Sequence, residues 1–273
     1  MKLALVNGAP GGGLSPWDRG FLYGDGAFET LRTYGGRLFA LEPHLALLEE
    51  TARSLHIEAR DACARLRVEA HEALRLAGPG EWLLRLLLTR GEGAGAGLAA
   101  ATGPTRVILV EPLRPLPEEV YRQGVEAESR FHPGGTLGPK TLAYLPQLLA
   151  LDGARSRGAG EVLLVDEAGG LGQGSTCNLL LVRGSSLIAP APAGGRAGVT
   201  RASVLAQAGG LGLRAESRPI RRDELGEGSE LLLCSTIREV LPVVAVDGVR
   251  VGEGRPGEAA GALRRALRRA AGE

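Results

Sequence analysis

The chain has 273 residues, 44% hydrophobic and 23% charged, which is enough apolar material for a sizeable core in one compact unit or two modest domains. Lys and Arg total 32 against 31 Asp and Glu, and a net charge of +1 argues against a nucleic-acid or anionic-membrane surface. No apolar run reaches the length of a membrane span. The three cysteines (Cys63, Cys177, Cys234) are widely spaced and free of CxxC, which excludes a disulfide framework and points to a reducing, cytoplasmic setting.

Leu3-Ala4-Leu5-Val6 predicts a strand ending at the Asn7-Gly8 turn, without the longer apolar core of a signal peptide. Ala27–Tyr34 alternates toward Gly35-Gly36 and Arg37-Leu38-Phe39, a hairpin signal. Leu41, His44, Leu45, Leu48, Ala52 and Leu55 follow helical spacing. A second helix is expected over 61–77, ending at Gly78-Pro79-Gly80, and strands at Trp82–Leu88 and Arg106–Glu111 flank a glycine-rich loop, 91–97. Pro112, Pro115 and Pro117 mark a break. It yields a small α+β domain over 1–112, a linker over 113–122 and a larger α/β domain over 123–273.

Beyond the break, a strand over 124–131 leads to Gly134-Gly135 and Lys140. A helix over 142–157 and strands over 161–165 and 178–182 come next. A helix near 200–208 precedes strands over 213–218, 230–234 and 239–246. The last helix, 257–271, carries Arg264, Arg265, Arg268 and Arg269 and reads as a solvated face. No 20–50-residue repeat, P-loop, Rossmann fingerprint or nucleophile elbow is present, and the four histidines show no metal-ligand spacing.

Only Lys2 and Lys140 among the 32 basic residues are lysine. A coding bias toward Gly, Ala and Arg explains the scarcity. Against it, an internal lysine suggests work that arginine cannot do: lysine can lose a proton and act as an amine nucleophile, whereas arginine stays charged.

Four segments carry a resemblance. They are Asp18-Arg19-Gly20-Phe21-Leu22-Tyr23-Gly24-Asp25-Gly26-Ala27-Phe28-Glu29-Thr30, Lys140-Thr141-Leu142-Ala143-Tyr144-Leu145, Gly198-Val199-Thr200-Arg201, and Ser235-Thr236-Ile237-Arg238-Glu239-Val240-Leu241-Pro242-Val243. In this order the chain resembles, from about residue 3 to 257, the class IV aminotransferases, the fold-type IV pyridoxal 5'-phosphate (PLP) enzymes. That family includes branched-chain and D-amino-acid aminotransferases and aminodeoxychorismate lyase. The resemblance implies a two-domain α/β and α+β fold with the ligand cleft between the domains, a homodimer, and small amino-acid and keto-acid substrates. It implies that Lys140 forms the Schiff base with PLP, and that Val199-Thr200 and Ser235-Thr236 cradle the phosphate. Tyr23 and Phe28 fall in the segment that lines the family's substrate pocket; a place in the core is the alternative for either. Tyr144 follows the lysine, and Arg90 matches an arginine in a loop near the active site; packing or a structural ion pair is the alternative for each. The D-amino-acid enzymes' Arg-x-His clamp after Thr89-Arg90-Gly91 is absent.

The sequence departs from the family at three cofactor positions. The glutamate that faces the pyridine nitrogen is Gln173, in the run Gln173-Gly174-Ser175-Thr176-Cys177-Asn178. The phosphate arginine three residues after His44 is Leu47, and the asparagine often found after the lysine is Ala143. Arg53, six residues beyond Leu47, lies on a different helical face. PLP-dependent transamination is the leading expectation. Aminodeoxychorismate lyase, releasing pyruvate from the same Schiff base, and a family-shaped protein that has lost PLP catalysis are the alternatives. No metal is expected.

Overall fold

The structure, a computed structural model, describes residues 2–273 except 94, 96, 99, 100, 137 and 192–197. Ala94 and Ala96 of the expected glycine-rich loop therefore lie outside the described residues. By its internal contacts the chain forms two units, one of residues 1–114 with 139–144, the other of 115–138 with 145–273.

In the first unit the chain runs β1 (Leu3–Val6), β2 (Ala9–Pro10), α1 (Arg19–Tyr23), β3 (Gly26–Tyr34), β4 (Arg37–Leu38), α2 (Leu41–Ser54), α3 (Arg60–Ala77), β5 (Trp82–Thr89) and β6 (Arg106–Pro112). The strands form one antiparallel sheet in the order β2-β1-β6-β5-β3-β4. The predicted hairpin forms because Gly35 and Gly36 both take positive φ, as the tight turn requires. α2 buries Leu41, His44, Leu45 and Leu48, and α3 buries Ala62, Cys63, Leu66, Ala70 and Ala73, each at i, i+3/i+4 spacing. These faces meet Leu5, Leu31, Leu84, Leu86 and Ile108 in one core.

Pro139–Tyr144 joins this unit through the start of β3. Thr141 bridges Ala27, Lys140 C=O accepts from Phe28 N (3.0 Å), and Leu142 N donates to Gly26 C=O (2.9 Å). The sequence suggests a helix from residue 142 onward, in the later half of the chain with Lys140. The backbone of 141–142 is instead committed to β3, and the helix begins at Leu145, with Pro146 in its first turn where no N–H is needed.

The second unit comprises α4 (Glu118–Gln123), β7 (Val125–Phe131), α5 (Leu145–Ser156), β8 (Glu161–Val165), β9 (Gly170–Gly174), β10 (Asn178–Arg183), β11 (Ser186–Ala189), α6 (Val199–Ala206), β12 (Arg214–Ser217), β13 (Ile220–Arg221), β14 (Ser229–Ser235), β15 (Glu239–Val246), β16 (Val249–Arg250) and α7 (Glu258–Ala271). The strands build a mixed ten-stranded sheet ordered β12-β11-β10-β14-β15-β7-β8-β9-β13, with β16 paired to β15. Leu163, Leu179, Leu181, Leu231, Leu233 and Leu241 fill its core.

The solvated-face expectation for α7 is corrected at two arginines. Arg264 is buried, pairs with Glu118 (2.6 Å) and Glu239 (2.9 Å), and lies 3.4 Å over the Tyr121 ring; Arg268 also binds Glu239. They neutralise Glu239, a buried residue with a left-handed φ of 53° immediately after the 236–238 turn.

Candidate active site

Strand alternation places Phe28 and Thr30 on the half-buried side of β3 and Ala27, Glu29 and Leu31 on the core side. A carboxylate therefore stands in an apolar row. Glu29 is 3% exposed, and its Oε2 meets His44 Nδ1 on α2 at 2.8 Å and Lys140 Nζ at 3.2 Å. Burial alone would raise the Glu29 carboxyl's pKa, but the Lys140 charge and the His44 hydrogen bond outweigh it and hold the group below the usual range. Lys140 Nζ also lies 6.0 Å from the Phe28 ring centroid, and Phe28 meets Tyr144 edge-on at 5.0 Å. Lys140, Phe28 and Tyr144 are thus brought together in the first unit. Gly24 makes this arrangement possible: it ends α1 at φ 65°, and a Cβ there would sit 2.9 Å from Ala143 N.

Tyr23 does not join this group through any described contact. It is exposed at the end of α1, with the Arg19 guanidinium 5.0 Å from its ring. Arg90 is buried and fully engaged. It binds Asp25 through Nε and NH2 (2.8 and 3.0 Å) and donates to Leu55 C=O and His56 C=O (2.6 and 2.9 Å). This is the structural ion pair left open beside the pocket role. Leu47 is half-buried on α2, and Arg53 is exposed and paired with Glu49, so it does not take the place of an arginine at 47.

In the second unit the remaining candidates converge at one end of the sheet. Asn178, the first residue of β10, is paired with Cys234, the residue before Ser235. Gly198, the N-cap of α6, approaches so closely that a Cβ would lie 2.2 Å from Asn178 Oδ1. Val199 and Thr200 open α6, and the first helical hydrogen bond to Gly198 C=O comes from Ala202 N. The first-turn N–H groups of Val199, Thr200 and Arg201 have no acceptor within the helix, and the helix dipole there favours an anion. Ser235 ends β14, and Thr236 begins the turn to β15.

Gln173 lines a cavity of about 150 Å³ with Gly172, Asn178, Pro190 and Arg201. Arg201 is 5% exposed, and its Nε has no hydrogen-bond partner among the described residues. Burial pushes its guanidinium pKa below the ordinary value. A buried cationic donor without a partner among the described residues and a helix N-terminus, with hydroxyls at 200, 235 and 236, are the kinds of donor that an anionic phosphate needs. The residues present therefore fit PLP, with Gln173 as a neutral group where the family has a carboxylate.

Several residues that hold these loops were not singled out from the sequence. Glu161, fully buried at the start of β8, accepts from Val162 N (2.9 Å), Ser175 N (3.1 Å), Ser175 Oγ, Thr176 Oγ1 (3.2 Å), Cys177 Sγ (3.3 Å) and Arg238 NH1 (2.6 Å). Arg238 closes the 236–238 turn, and its amide donates to Ser235 Oγ (3.3 Å). One buried ion pair thus ties the turn after Gln173 to the turn bearing Ser235 and Thr236. Burial would raise the Glu161 carboxyl's pKa; Arg238 and the Ser175 hydroxyl hold it low. The only signal in the sequence was a charge flanking the apolar run Val162–Val165. Burial pushes the Cys234 thiol to about 12 and Cys177 well above its ordinary value, so neither is a nucleophile at neutral pH. Among the described residues no group of His, Cys, Asp and Glu could hold a metal, and no helix is long and apolar enough to cross a membrane.

The family described as Amino-transferase class IV matches residues 26–246. A D-alanine aminotransferase of Bacillus licheniformis is 29% identical over 250 residues, covering 88% of this chain and 85% of that one. The crystal structure of 4-amino-4-deoxychorismate lyase from Pseudomonas aeruginosa superposes with a TM-score of 0.81 at 35% identity, covering 98% of both chains. That of the T.th. branched-chain amino acid aminotransferase with pyridoxamine 5'-phosphate does so at 0.88 and 27%, covering 98% of this chain and 93% of that one.

Proposed function

The chain belongs to the class IV aminotransferase family, whose members imply pyridoxal phosphate chemistry, and on that premise we propose that it is a PLP-dependent aminotransferase acting on a small amino acid through Lys140. The observation that carries the reading is the placement of Lys140, one of two lysines in the chain, against a buried carboxylate and near the Phe28 ring, which itself packs on Tyr144. When bound, PLP supplies an aldehyde that captures amines and a ring that draws electrons from a substrate's α-carbon. Lys140 Nζ would hold the aldehyde carbon and, when free as the neutral amine, would move the substrate's α-proton. Phe28 flanks Lys140, with Tyr144 packed edge-on against Phe28. The N–H groups opening α6 and the hydroxyls of Thr200, Ser235 and Thr236 would hold the phosphate, and Gln173 would offer the ring nitrogen a neutral hydrogen bond.

Lyase chemistry is the second reading. It is supported by the 35% identity to 4-amino-4-deoxychorismate lyase and by Gln173, which weakens the electron sink on which transamination depends. Loss of PLP catalysis is the third, resting on Leu47 and Gln173. A homodimer is part of the proposal: Trp17, Phe21 and Tyr23 in the first unit, and Leu145, Leu148 and Leu149 on α5 in the second, are exposed apolar side chains that a second copy would cover. The buried free thiols suit a reducing, cytoplasmic setting.

The test is the absorbance spectrum of purified protein before and after added PLP, followed by single turnover with amino donors and with aminodeoxychorismate. A cofactor band consumed by a small amino donor, with keto acid formed in equal amount, supports transamination. Pyruvate released from aminodeoxychorismate, without amino transfer, selects the lyase. No band at saturating PLP removes both.

A further inference from the structure

Glu29 is a carboxylate that the proposed chemistry does not otherwise use. It sits on the core side of β3, where its sequence neighbours on that face are Ala27 and Leu31, and it is 3% exposed. A buried ion without partners would neutralise itself, yet this one is held ionised. The titratable groups that act on it are Lys140, from the segment bridged to β3, and His44, from α2. Both reach the same atom, Oε2, at 3.2 and 2.8 Å. The two partners differ in freedom. The His44 side chain is 4% exposed and fixed by helix packing, whereas that of Lys140 is 41% exposed and can leave.

We propose that Glu29 is the built-in counter-ion of Lys140, receiving the ammonium that the lysine becomes once, freed from a carbonyl carbon, it has taken up a proton, and that His44 is the positioning residue that keeps the carboxylate aimed at it. The inference rests on the reading of Lys140 as the carbonyl-bonding amine. When Lys140 takes a proton from a substrate's α-carbon, the C–H bond breaks and its electron pair stays with carbon. The lysine lone pair becomes a third N–H bond, and the positive charge is created beside Oε2 of Glu29. A fixed anion at that point offsets the new charge without itself exchanging a proton.

The chain's composition supplies the test. Protein labelled with ¹³Cε,¹⁵Nζ-lysine gives two resonances, from Lys2 and Lys140, which Lys2→Arg tells apart. The rate at which the ammonium hydrogens of each lysine exchange with water is then read in the cofactor-free protein at one fixed pH. In wild type those of Lys140, held by Oε2 of Glu29, exchange severalfold more slowly than those of Lys2, and in Glu29→Gln the difference is lost. Glu29→Asp, which keeps the charge on a shorter arm, recovers part of the difference, and neither variant changes Lys2. A folded Glu29→Gln protein in which Lys140 exchanges as in wild type overturns the proposal. If Glu29→Gln does not fold, Glu29→Asp decides: an unchanged exchange rate overturns it, and a partial acceleration upholds it. Faster exchange in a protein that forms no PLP adduct on Lys140 upholds the counter-ion and removes the cofactor reading it serves.

Discussion

Glu29 in the first unit and Glu161 in the second are both buried carboxylates held ionised by a cation, and the cations differ. Glu161 faces Arg238, whose side chain is 11% exposed and cannot titrate, and rigid donors from Val162, Ser175, Thr176 and Cys177 complete its shell. Glu29 faces His44 and the half-open Lys140. The first arrangement suits a fastening and the second a site where one partner must come and go. Burial of a carboxylate therefore does not by itself mark function; the mobility and titratability of its cation do.

The largest expected effect breaks the mobile side. Lys140→Ala abolishes PLP-dependent turnover while the thermal transition stays near wild type, because the side chain is partly exposed and its removal leaves Glu29 paired with His44. A variant that retains turnover contradicts the assignment. The fixed side breaks differently. Glu161→Gln leaves Arg238 buried without its counter-ion and lowers stability by about 3–5 kcal/mol in urea titration. It also loosens the Ser235–Thr236 turn, so PLP affinity falls as well. Glu29→Gln, screened by the exposure of Lys140, costs only about 1 kcal/mol. Equal losses in the two variants would erase the distinction.

Acid sharpens the same contrast. Both carboxyls lie below their ordinary value of 4.5 in the folded chain. Their stabilisation is therefore fully present above that pH and is lost as pH falls toward their folded values, where the unfolded chain binds more protons. Stability measured from pH 5 to 3 falls steeply in wild type and less steeply in Glu161→Gln. An unchanged slope argues against a depressed Glu161.

The smaller effects concern the departures from the family. Gln173→Glu raises the single-turnover transamination rate by about tenfold, the worth of one pKa unit at the ring nitrogen. It also places a carboxylate in the cavity of Arg201, whose Nε lacks a partner among the described residues. A mutant equal to or slower than wild type removes Gln173 from the ring nitrogen or transamination from the protein. Leu47→Arg tightens PLP retention through dialysis by severalfold, as a charge-assisted phosphate contact would. A wild type that already keeps stoichiometric PLP shows that other groups suffice.

Much of the fold was legible in local patterns. The hairpin at Gly35-Gly36, the apolar stripes of α2 and α3 and the alternating strands each report a short-range regularity. β9 was not legible, because Gly170-Leu171-Gly172-Gln173-Gly174 has no apolar period and becomes a strand only by pairing with β8 and β13. The start of α5 moved for the same reason, since 141–142 pairs with β3 across more than a hundred residues. Lys140 stood out through scarcity and motif. Glu29, Glu161 and Arg238 did not, because their roles depend on partners 15 to 111 residues away. The arginines of α7 misled because Glu118 and Glu239 are distant in sequence and adjacent in space.

The central claim is that Lys140 is the amine that holds the cofactor. Borohydride reduction of the PLP-loaded protein, followed by peptide mapping, reads it directly, since the chain offers only two lysine side chains for comparison. A pyridoxyl adduct on the peptide containing Lys140, absent in Lys140→Ala, is the predicted result. An adduct on Lys2, or none at saturating PLP, contradicts it.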